Sequence, residues 1–509
     1  MDSVLLTPID PDLPGLLRQL HEQLTQSGPV ALRAGTLQAI GPQRWITPAA
    51  LVGAVALGGV ELAQLLLAAA APQAAQAQRV EALRLALSGL LDAPASAEAT
   101  ARWLIDGFGL DDTPEALPDR LRAEFLLAHG PVEQLAQAVQ VALRRRRWAP
   151  VLTGLERLRA AAPGSFPRNG YGLASVCLHH LGRYEEANRW VEEGVGPEAQ
   201  RLLAVPPLRT EAELLARWGD RAGTPVVSVL CLSFNHERYI DTAIHSFLAQ
   251  DCEHPFEIVI HDDASTDRTA ARIRAWQQRY PSIIRPILQT ENQWSQESRR
   301  PFDLALGATR GQFVATCEGD DYWTDPLKLQ RQVSLLIAQP ELSCSAHNYL
   351  VLHEAGAEVR RWSAGARDFR LSRQQLMAVE TLVWGLTLVF RKTFSRLPPE
   401  RSFSAFGDQV LISYLGTFGA CAYLDTLVAA VRRVNEFSVW MPLPEAEKAR
   451  RRVKTWAAML RMHERLGNAQ AAAAMRAKIT GAQLDGTLKQ ALLDESVAAC
   501  AAVCEEALA

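Results

Sequence analysis

The sequence predicts a multidomain α and α/β chain: an all-α N-terminal half, a central α/β domain and a C-terminal helical tail. Three observations carry this. The length of 509 residues is about three to four times a typical domain of roughly 150 residues. From residue 1 to about 220 the text is Ala, Leu, Arg, Glu and Gln with almost no β-branched run, broken by Pro and Gly every few turns as helical hairpins require. At Thr224 the composition changes abruptly, because PVVSVLCLSFN is a continuous apolar run of the kind a strand buried on both faces of a parallel sheet needs. The expected boundaries are 1–130 for an all-α region, 131–221 for helical hairpins, 222–441 for the α/β domain and 442–509 for the tail.

Within the helical half, RRWAPVLTGLERLRAAAP and GRYEEANRWVEEGVGPEA share a spacing. Trp148 and Tyr184, Val151 and Ala187, Leu155 and Val191, and Leu158 and Gly194 are each 36 residues apart. GYGLASVCLHHLGRYEEANRW, with Gly182 at a turn, Tyr184 opening a second helix and Ala187 at a close crossing, resembles the helix-turn-helix of the tetratricopeptide repeat. That resemblance implies an extended concave surface able to hold a peptide or another protein.

After Thr224 the segments alternate. FEIVIHDD and PILQT read as strands with RTAARIRAWQQRY as the helix between them. GQFVATCEGDD is the next strand, DPLKLQRQVSLLIAQ a helix, and SCSAHNYLVLHE another strand. This is the α/β signature. Beyond about Trp440 the text turns helical again, and HERLGNAQAAAAM repeats the hairpin pattern with Gly467 at its turn.

Composition excludes several classes. Fifty-three basic against 56 acidic side chains leave a formal charge of -3, without the basic excess of a nucleic-acid partner. Cys177, Cys231, Cys252, Cys317, Cys344, Cys421, Cys500 and Cys504 form no CxxC pair and read as reduced, buried thiols. The opening MDSVLLTPIDPDLPG has acidic residues and prolines where a signal peptide has basic and apolar ones, so a cytoplasmic location is expected. Ala49 to Pro72 is alanine-rich and carries Glu61, and is expected to be a buried helix, not a transmembrane span. GxGxxG after the first strand, GxxxxGK[ST] and HExxH are all absent, which argues against a nicotinamide dehydrogenase, a P-loop enzyme and a zinc hydrolase.

Ligands of open α/β sheets bind at the carboxyl ends of strands. Three such ends are polar: Ser233-Phe234-Asn235-His236-Glu237, His261-Asp262-Asp263-Ala264-Ser265-Thr266-Asp267, and Glu318-Gly319-Asp320-Asp321-Tyr322-Trp323. Helix capping accounts for Asp267 and Asp325. It leaves Asp262, Asp263, Asp320 and Asp321, and adjacent carboxylates of this kind suit a hard cation such as Mg²⁺ or Mn²⁺.

The segment resembles a glycosyltransferase family 2 domain of the Rossmann-like GT-A fold. VSVLCLSFNHERYIDTAIHSFLAQ is similar to its opening strand and helix, HDDASTDRT to its DDGSTDGT element, and EGDDYWTDPLKLQRQV to its DXD element. VFRKTF, FGDQVLISYLGTFG and VRRVNEFSVW follow in the family's order, so the resemblance spans about residues 224 to 441. It implies a nucleoside-diphosphate sugar as donor, with Ser233, Asn235 and Glu237 lining the nucleotide pocket and Asp262, with Asp263 beside it, reading base or ribose. Asp320 would be the ligand of Mn²⁺ or Mg²⁺, and Glu318 stands where the DXD element usually begins with Asp. Asp408 falls at the position of the catalytic carboxylate and is expected to be the general base of an inverting transfer. Arg433 is expected to grip pyrophosphate, while Asn435 replaces the usual His. Aromatic Trp323 and Trp384, with Gly385, His347 and Asn348, fall near the sugar or acceptor groove.

The expected function is metal-dependent transfer of one sugar to a hydroxyl acceptor, a protein or a surface glycan presented by the helical half. The rival is a helical scaffold whose transferase-like domain binds without turnover, which the Glu318 and Asn435 departures favour.

Overall fold

The computed structural model of the chain describes residues 52, 54–56, 63, 87, 117–296, 300–363, 367–380, 383–394, 396–435 and 444–481. Most of Ala49 to Pro72 lies outside them; Val52, Ala54, Val55, Ala56 and Ala63 are helical and buried. Among the described residues no helix is long and apolar enough to cross a membrane. Six cysteines among the described residues are buried and in no disulfide, and Cys500 and Cys504 fall outside the description. The chain divides into two compact units, Met1–Val191 and Glu192–Ala509.

In the first unit α1 (Leu117–His129), α2 (Val132–Arg144), α3 (Trp148–Ala161) and α4 (Arg168–His180) are followed by the first turns of α5 (Tyr184–Leu203), whose residues from Glu192 on belong to the second unit. The α2–α3 hairpin recurs 36 residues later as α4–α5. Helix α2 buries Leu135, Ala138, Val139 and Ala142, an i, i+3, i+4, i+7 stripe. These pack with Leu127, Val151, Leu155, Cys177, Leu178 and Ala187 in one core. Gly154 lets the helices meet, since a Cβ there would lie 2.3 Å from Leu127 Cδ2. The turn at Gly182 needs a left-handed residue, φ 69°. Helix α5 breaks at Gly196 (φ 81°, ψ 167°), just before Pro197, which has no N–H with which to continue the ladder.

The second unit opens with α6 (Glu211–Trp218), whose Thr210 and Glu213 form a capping box. The elements that follow are β1 (Val227–Ser233), α7 (Ile240–Leu248), β2 (Phe256–Asp262), α8 (Thr269–Arg279), β3 (Ile284–Leu288), α9 (Gln293–Gln296), α10 (Arg300–Ala308), β4 (Phe313–Thr316), β5 (Tyr322–Trp323), α11 (Lys328–Ala338) and β6 (Leu342–His353). After these come β7 (Glu358–Arg361), β8 (Phe369–Leu371), α12 (Arg373–Met377), β9 (Val389–Arg391), α13 (Gly407–Leu415), β10 (Ala420–Val434), α14 (Glu445–Arg465) and α15 (Ala469–Gly481).

One mixed sheet organises the unit in the order β3-β2-β1-β4-β9-β6-β10-β5, with β7 on β6 and β8 on β10. Strands β3, β2, β1 and β4 are parallel, and β9 runs antiparallel between β4 and β6. Side chains alternate across β1. Val227, Val229 and Cys231 join α6, α7, α8 and α11 on one face, while Leu230 joins α10, α12 and α13 on the other. Both faces are therefore covered, which is why β1 and β2 are buried along their length and mostly apolar.

The C-terminal hairpin α14–α15 turns at Gly467 (φ 71°) and packs Val453, Ala457, Leu460, Met475 and Ile479 against Val379 and Val410. Its polar anchor is His463. Ser413 Oγ donates to the Met377 carbonyl at 2.6 Å, so it accepts from His463 Nε2 at 2.8 Å, and Asn468 Nδ2 donates to His463 Nδ1 at 3.3 Å. This fixes the neutral Nε2–H tautomer, and burial pushes the His463 pKa down to about 4.

The unfolded chain binds a proton at His463 near pH 6.5, about the ordinary value, whereas the folded chain does not until about pH 4. The stability held in neutral His463 is whole above pH 6.5 and is lost as the pH falls from there to 4. His463→Gln keeps a donor for Ser413 but cannot titrate. Its acid-side loss of stability should be shallower than the parent's by up to about 1.4 kcal/mol per pH unit, read by thermal denaturation across pH 4 to 7. Identical slopes would remove His463 as the source.

Candidate functional site

Ser233 and Asp262 are register partners at the carboxyl ends of β1 and β2. The loop after β4 runs beside the same end of β1, with Cys317 N donating to Leu230 O at 3.1 Å and Gly319 N to Leu232 O at 2.9 Å. The three polar strand ends singled out in the sequence thus meet along one edge of the sheet.

The loops after β1 and β2 are clasped to each other. Asn235 takes a left-handed conformation, φ 55°, donates its N–H to Ser265 Oγ at 2.9 Å and accepts at Oδ1 from Thr266 N at 2.8 Å. Glu237 N donates to Asp267 Oδ2 at 3.0 Å, and the Glu237 carboxylate accepts from Arg268 N at 3.1 Å and Arg268 Nε at 2.5 Å. Expected to line the nucleotide pocket, Glu237 is instead buried and bound to Arg268. Asp267 also accepts from Thr269 N at 2.9 Å, the helix-capping role expected of it.

Ala264 sits at φ 60°, where the DDGSTDGT pattern has glycine; its Cβ costs about 1 kcal/mol in that left-handed region. Asp262 accepts from Ser265 Oγ at 2.5 Å and Ser265 N at 3.2 Å, while burial raises its pKa against those bonds. Asp263 is engaged elsewhere. Its two carboxylate oxygens accept from Gln293 N at 2.7 Å and Trp294 N at 3.0 Å, so it caps α9, a helix 30 residues further on.

Two polar atoms near the acidic loop are buried without a hydrogen-bond partner: Ser233 Oγ and His236 Nδ1. Both abut Gly319, where a Cβ would lie 2.8 Å from His236 Nδ1 and 3.1 Å from Ser233 Oγ. Ser233 stands out in the sequence from its place at the strand end. His236 does not, although its position three residues past Ser233 is a signal.

Glu318, Asp320 and Asp321 each offer a carboxylate oxygen, and the three oxygens lie within 4.8 Å of one another. Glu318 reaches solvent although protein surrounds it on most sides, and its pKa is pushed up to about 7 by burial first, then by the Asp320 and Asp408 charges. Asp321 is raised by burial and by Asp320 and Glu318, although Arg433 N donates to its Oδ1 at 2.8 Å. Three hard oxygen donors that resist simultaneous ionisation fit a divalent cation, whose charge would reverse the sign of these shifts.

β5 pairs with β10 through Tyr322↔Val431 and Trp323↔Ala430, which brings Arg432 and Arg433 beside the carboxylates. The two arginines differ. Arg433 is buried, donates from Nη1 to the Asp320 carbonyl at 2.9 Å, pairs with Glu354 at 3.5 Å and lies 4.4 Å over the Tyr322 ring. The expected pyrophosphate clamp is therefore tied into the protein behind the acidic loop. Arg432 is the one whose charge opposes the raised pKa values of Glu318 and Asp321. It lies 4.2 Å over the Trp384 ring, and adjacent strand residues face opposite sides of a sheet. Half-buried Trp384 packs with Trp362 and Tyr349 at 5.9 and 6.3 Å. Trp323, His347 and Asn348, expected near the groove, are fully buried core residues, with Trp323 Nε1 bonded to Leu386 O at 3.0 Å.

Asp408 is exposed in the first turn of α13, an electrostatically favourable place for a carboxylate. Its charge helps to raise the pKa of Glu318, 90 residues away in sequence.

Residues 228–397 match the family model described as glycosyl transferase family 2. An uncharacterized protein of Mycobacterium tuberculosis is 45% identical over 132 residues, 26% of this chain and 37% of its own length. A Bacillus subtilis protein named as a teichuronic acid biosynthesis glycosyltransferase, TuaG, is 35% identical over 121 residues, 24% of this chain and 44% of its own length. The chain thus spans about two fifths of the length of these curated relatives. A mannosyltransferase from Pyrobaculum calidifontis, solved with GDP-Man and Mn²⁺, matches at 15% identity and a TM-score of 0.35, over 66% of this chain and 98% of that one. The matched segment, residues 228–397, is similar to a glycosyltransferase-type domain and carries most of β1 through β9 of the mixed sheet.

Asp320→Ala should weaken Mn²⁺ binding by at least roughly 10- to 100-fold, the range that loss of even an outer-shell partner produces, with the melting temperature of the metal-free protein unchanged. Titration calorimetry with MnCl₂ checks this, and parental affinity in the variant would take the metal away from the triad.

Proposed function

We propose that the α/β domain is an inverting, metal-dependent glycosyltransferase that moves one sugar from a nucleoside-diphosphate sugar to a hydroxyl acceptor. The observation that carries the reading is the convergence of Glu318, Asp320 and Asp321 at the strand ends, with the Asp408 charge on α13 acting on Glu318.

In this reading Ser233, His236 and Asp262 receive the nucleoside, the first two with polar atoms that have no protein partner. Asn235, Asp263 and Glu237 act one step back, by holding the loops that carry those groups. Asp320, with Glu318 and Asp321, would hold the Mn²⁺ or Mg²⁺ that offsets charge on the departing diphosphate. Arg433 keeps the acidic loop in place. Arg432 puts a cation on the cleft side, and Trp384 beneath it offers an aromatic edge to a sugar ring. Asp408 takes the proton from the acceptor hydroxyl as its oxygen forms the new bond to the anomeric carbon. The bond from that carbon to the diphosphate breaks, and its electron pair leaves with the diphosphate.

The helical hairpins of residues 131–221 are read as tetratricopeptide-like, and the N-terminal half as the part that presents the acceptor. Their 36-residue recurrence supports this. TuaG is named for teichuronic acid biosynthesis, which favours a surface glycan over a protein as acceptor.

Asp408→Asn keeps the shape of the side chain but cannot take a proton. Donor affinity should persist while transfer falls by roughly 10² to 10⁴; a panel of UDP-, GDP- and dTDP-sugars with Mn²⁺, scored by nucleotide release and calorimetry, measures both. Normal turnover in the variant would leave Asp408 only the electrostatic role of a first-turn carboxylate. A chain cut back to residues 192–509, the second compact unit, should bind and slowly hydrolyse the donor but lose transfer to the native acceptor. Full transfer by that soluble fragment would sink the presentation role of the helical half.

A further inference from the structure

The family match stops at residue 397, so neither the helix that carries Asp408 nor the C-terminal hairpin belongs to the matched segment. Phe406 occupies the N-cap position of α13 and makes no side-chain capping bond, and a helix start without a cap leaves its first N–H groups to fray. An aspartate in the first turn has a short side chain, so the backbone of that turn sets where its carboxylate lies.

Two side chains from elsewhere grip this turn. Phe406 N donates to Thr455 Oγ1 of α14 at 3.1 Å, and the Gly407 carbonyl accepts from Arg401 Nε at 3.3 Å. Thr455 is fully buried and gives its own proton to the Arg451 carbonyl at 2.9 Å, which leaves its oxygen lone pairs for the Phe406 N–H. Arg401 is buried too, bonded to Asp303 at 2.5 Å and lying 4.5 Å over the Phe302 ring of α10. The hairpin is fastened next to it, because both carboxylate oxygens of buried Glu400 accept from Arg465 of α14, at 2.6 and 2.8 Å. Further along α13, Ser413 receives His463.

We propose that Thr455 and Arg401 are positioning residues for Asp408, and that the C-terminal hairpin is a splint that holds the general base in register with the acidic triad. This rests on the reading of Asp408 as base. The two side chains hold the residues immediately before Asp408 from opposite polar groups, one N–H and one carbonyl. Neither touches the reacting atoms.

The test uses the full chain and the same nucleotide-sugar panel with Mn²⁺. Thr455→Val removes the acceptor oxygen at nearly constant volume. It should lower kcat for nucleotide release by roughly 10- to 100-fold, the scale of a small misplacement of a catalytic group, with the donor KM unchanged. Backbone amide exchange in residues 404–410 should quicken. Thr455→Ser restores the oxygen and should recover both, and Arg401→Lys, which keeps the charge but loses the Nε donor, should show the same split between kcat and KM. If Thr455→Val and Arg401→Lys both keep parental kcat and exchange while Asp408→Asn loses turnover, the positioning role is wrong and the base survives. If Asp408→Asn itself turns over normally, the base reading fails and takes the splint with it.

Discussion

Like-charge repulsion among Glu318, Asp320 and Asp321 is the constraint around which the second unit is arranged. Three carboxylates with oxygens within 4.8 Å of one another would spread apart on a free loop. Here the loop is hydrogen-bonded to β1 through Cys317 and Gly319 and anchored by β5 to β10. Arg433 then ties both the Asp320 carbonyl and the Asp321 carboxylate from behind. The sheet thus supplies the rigidity, and the unfavourable electrostatics remain as a standing preference for a cation.

Behind the loop lies a buried polar group that serves the same end. Glu354, just after β6, accepts from Tyr239 Oη at 3.0 Å and pairs with Arg238 at 3.3 Å and Arg433 at 3.5 Å. Loss of one partner from such a group leaves a buried charge uncompensated, which is costly. The same residues therefore couple the β1–α7 connection to β6 and β10, and the carboxylates inherit their placement from contacts between segments far apart in sequence.

What the sequence disclosed follows from what is local. The apolar runs of β1 and β2, the polar residues at their ends, the glycine turns at Gly182 and Gly467, and the caps Asp267 and Asp325 all depend on near neighbours, and the structure has each of them. Roles that depend on distant partners were not legible. Asp263 looked unexplained because the helix it caps begins 30 residues later. Arg432 and Arg433 are indistinguishable in text, and only the pairing of β10 with β5 and β6 decides which one faces the carboxylates. Thr455 carries no motif at all; its hydroxyl matters because α14 crosses the start of α13. The tetratricopeptide-like reading of residues 131–221 rests on a 36-residue period in the sequence and in the helix starts, while most of residues 1–116 lie outside the described structure.

The clasp between the loops after β1 and β2 has a thermodynamic consequence. Asn235, Glu237, Ser265, Thr266, Asp267 and Arg268 satisfy one another within the protein itself, so these loops need no occupant to hold their shape. Ordering loops and side chains on association opposes binding by about 0.5–1.5 kcal/mol per immobilised flexible side chain. Here that ordering is completed during folding. A ligand of this edge meets a preformed wall, and the heat capacity change on binding should reflect the surface the ligand itself covers, with little added from coupled loop folding.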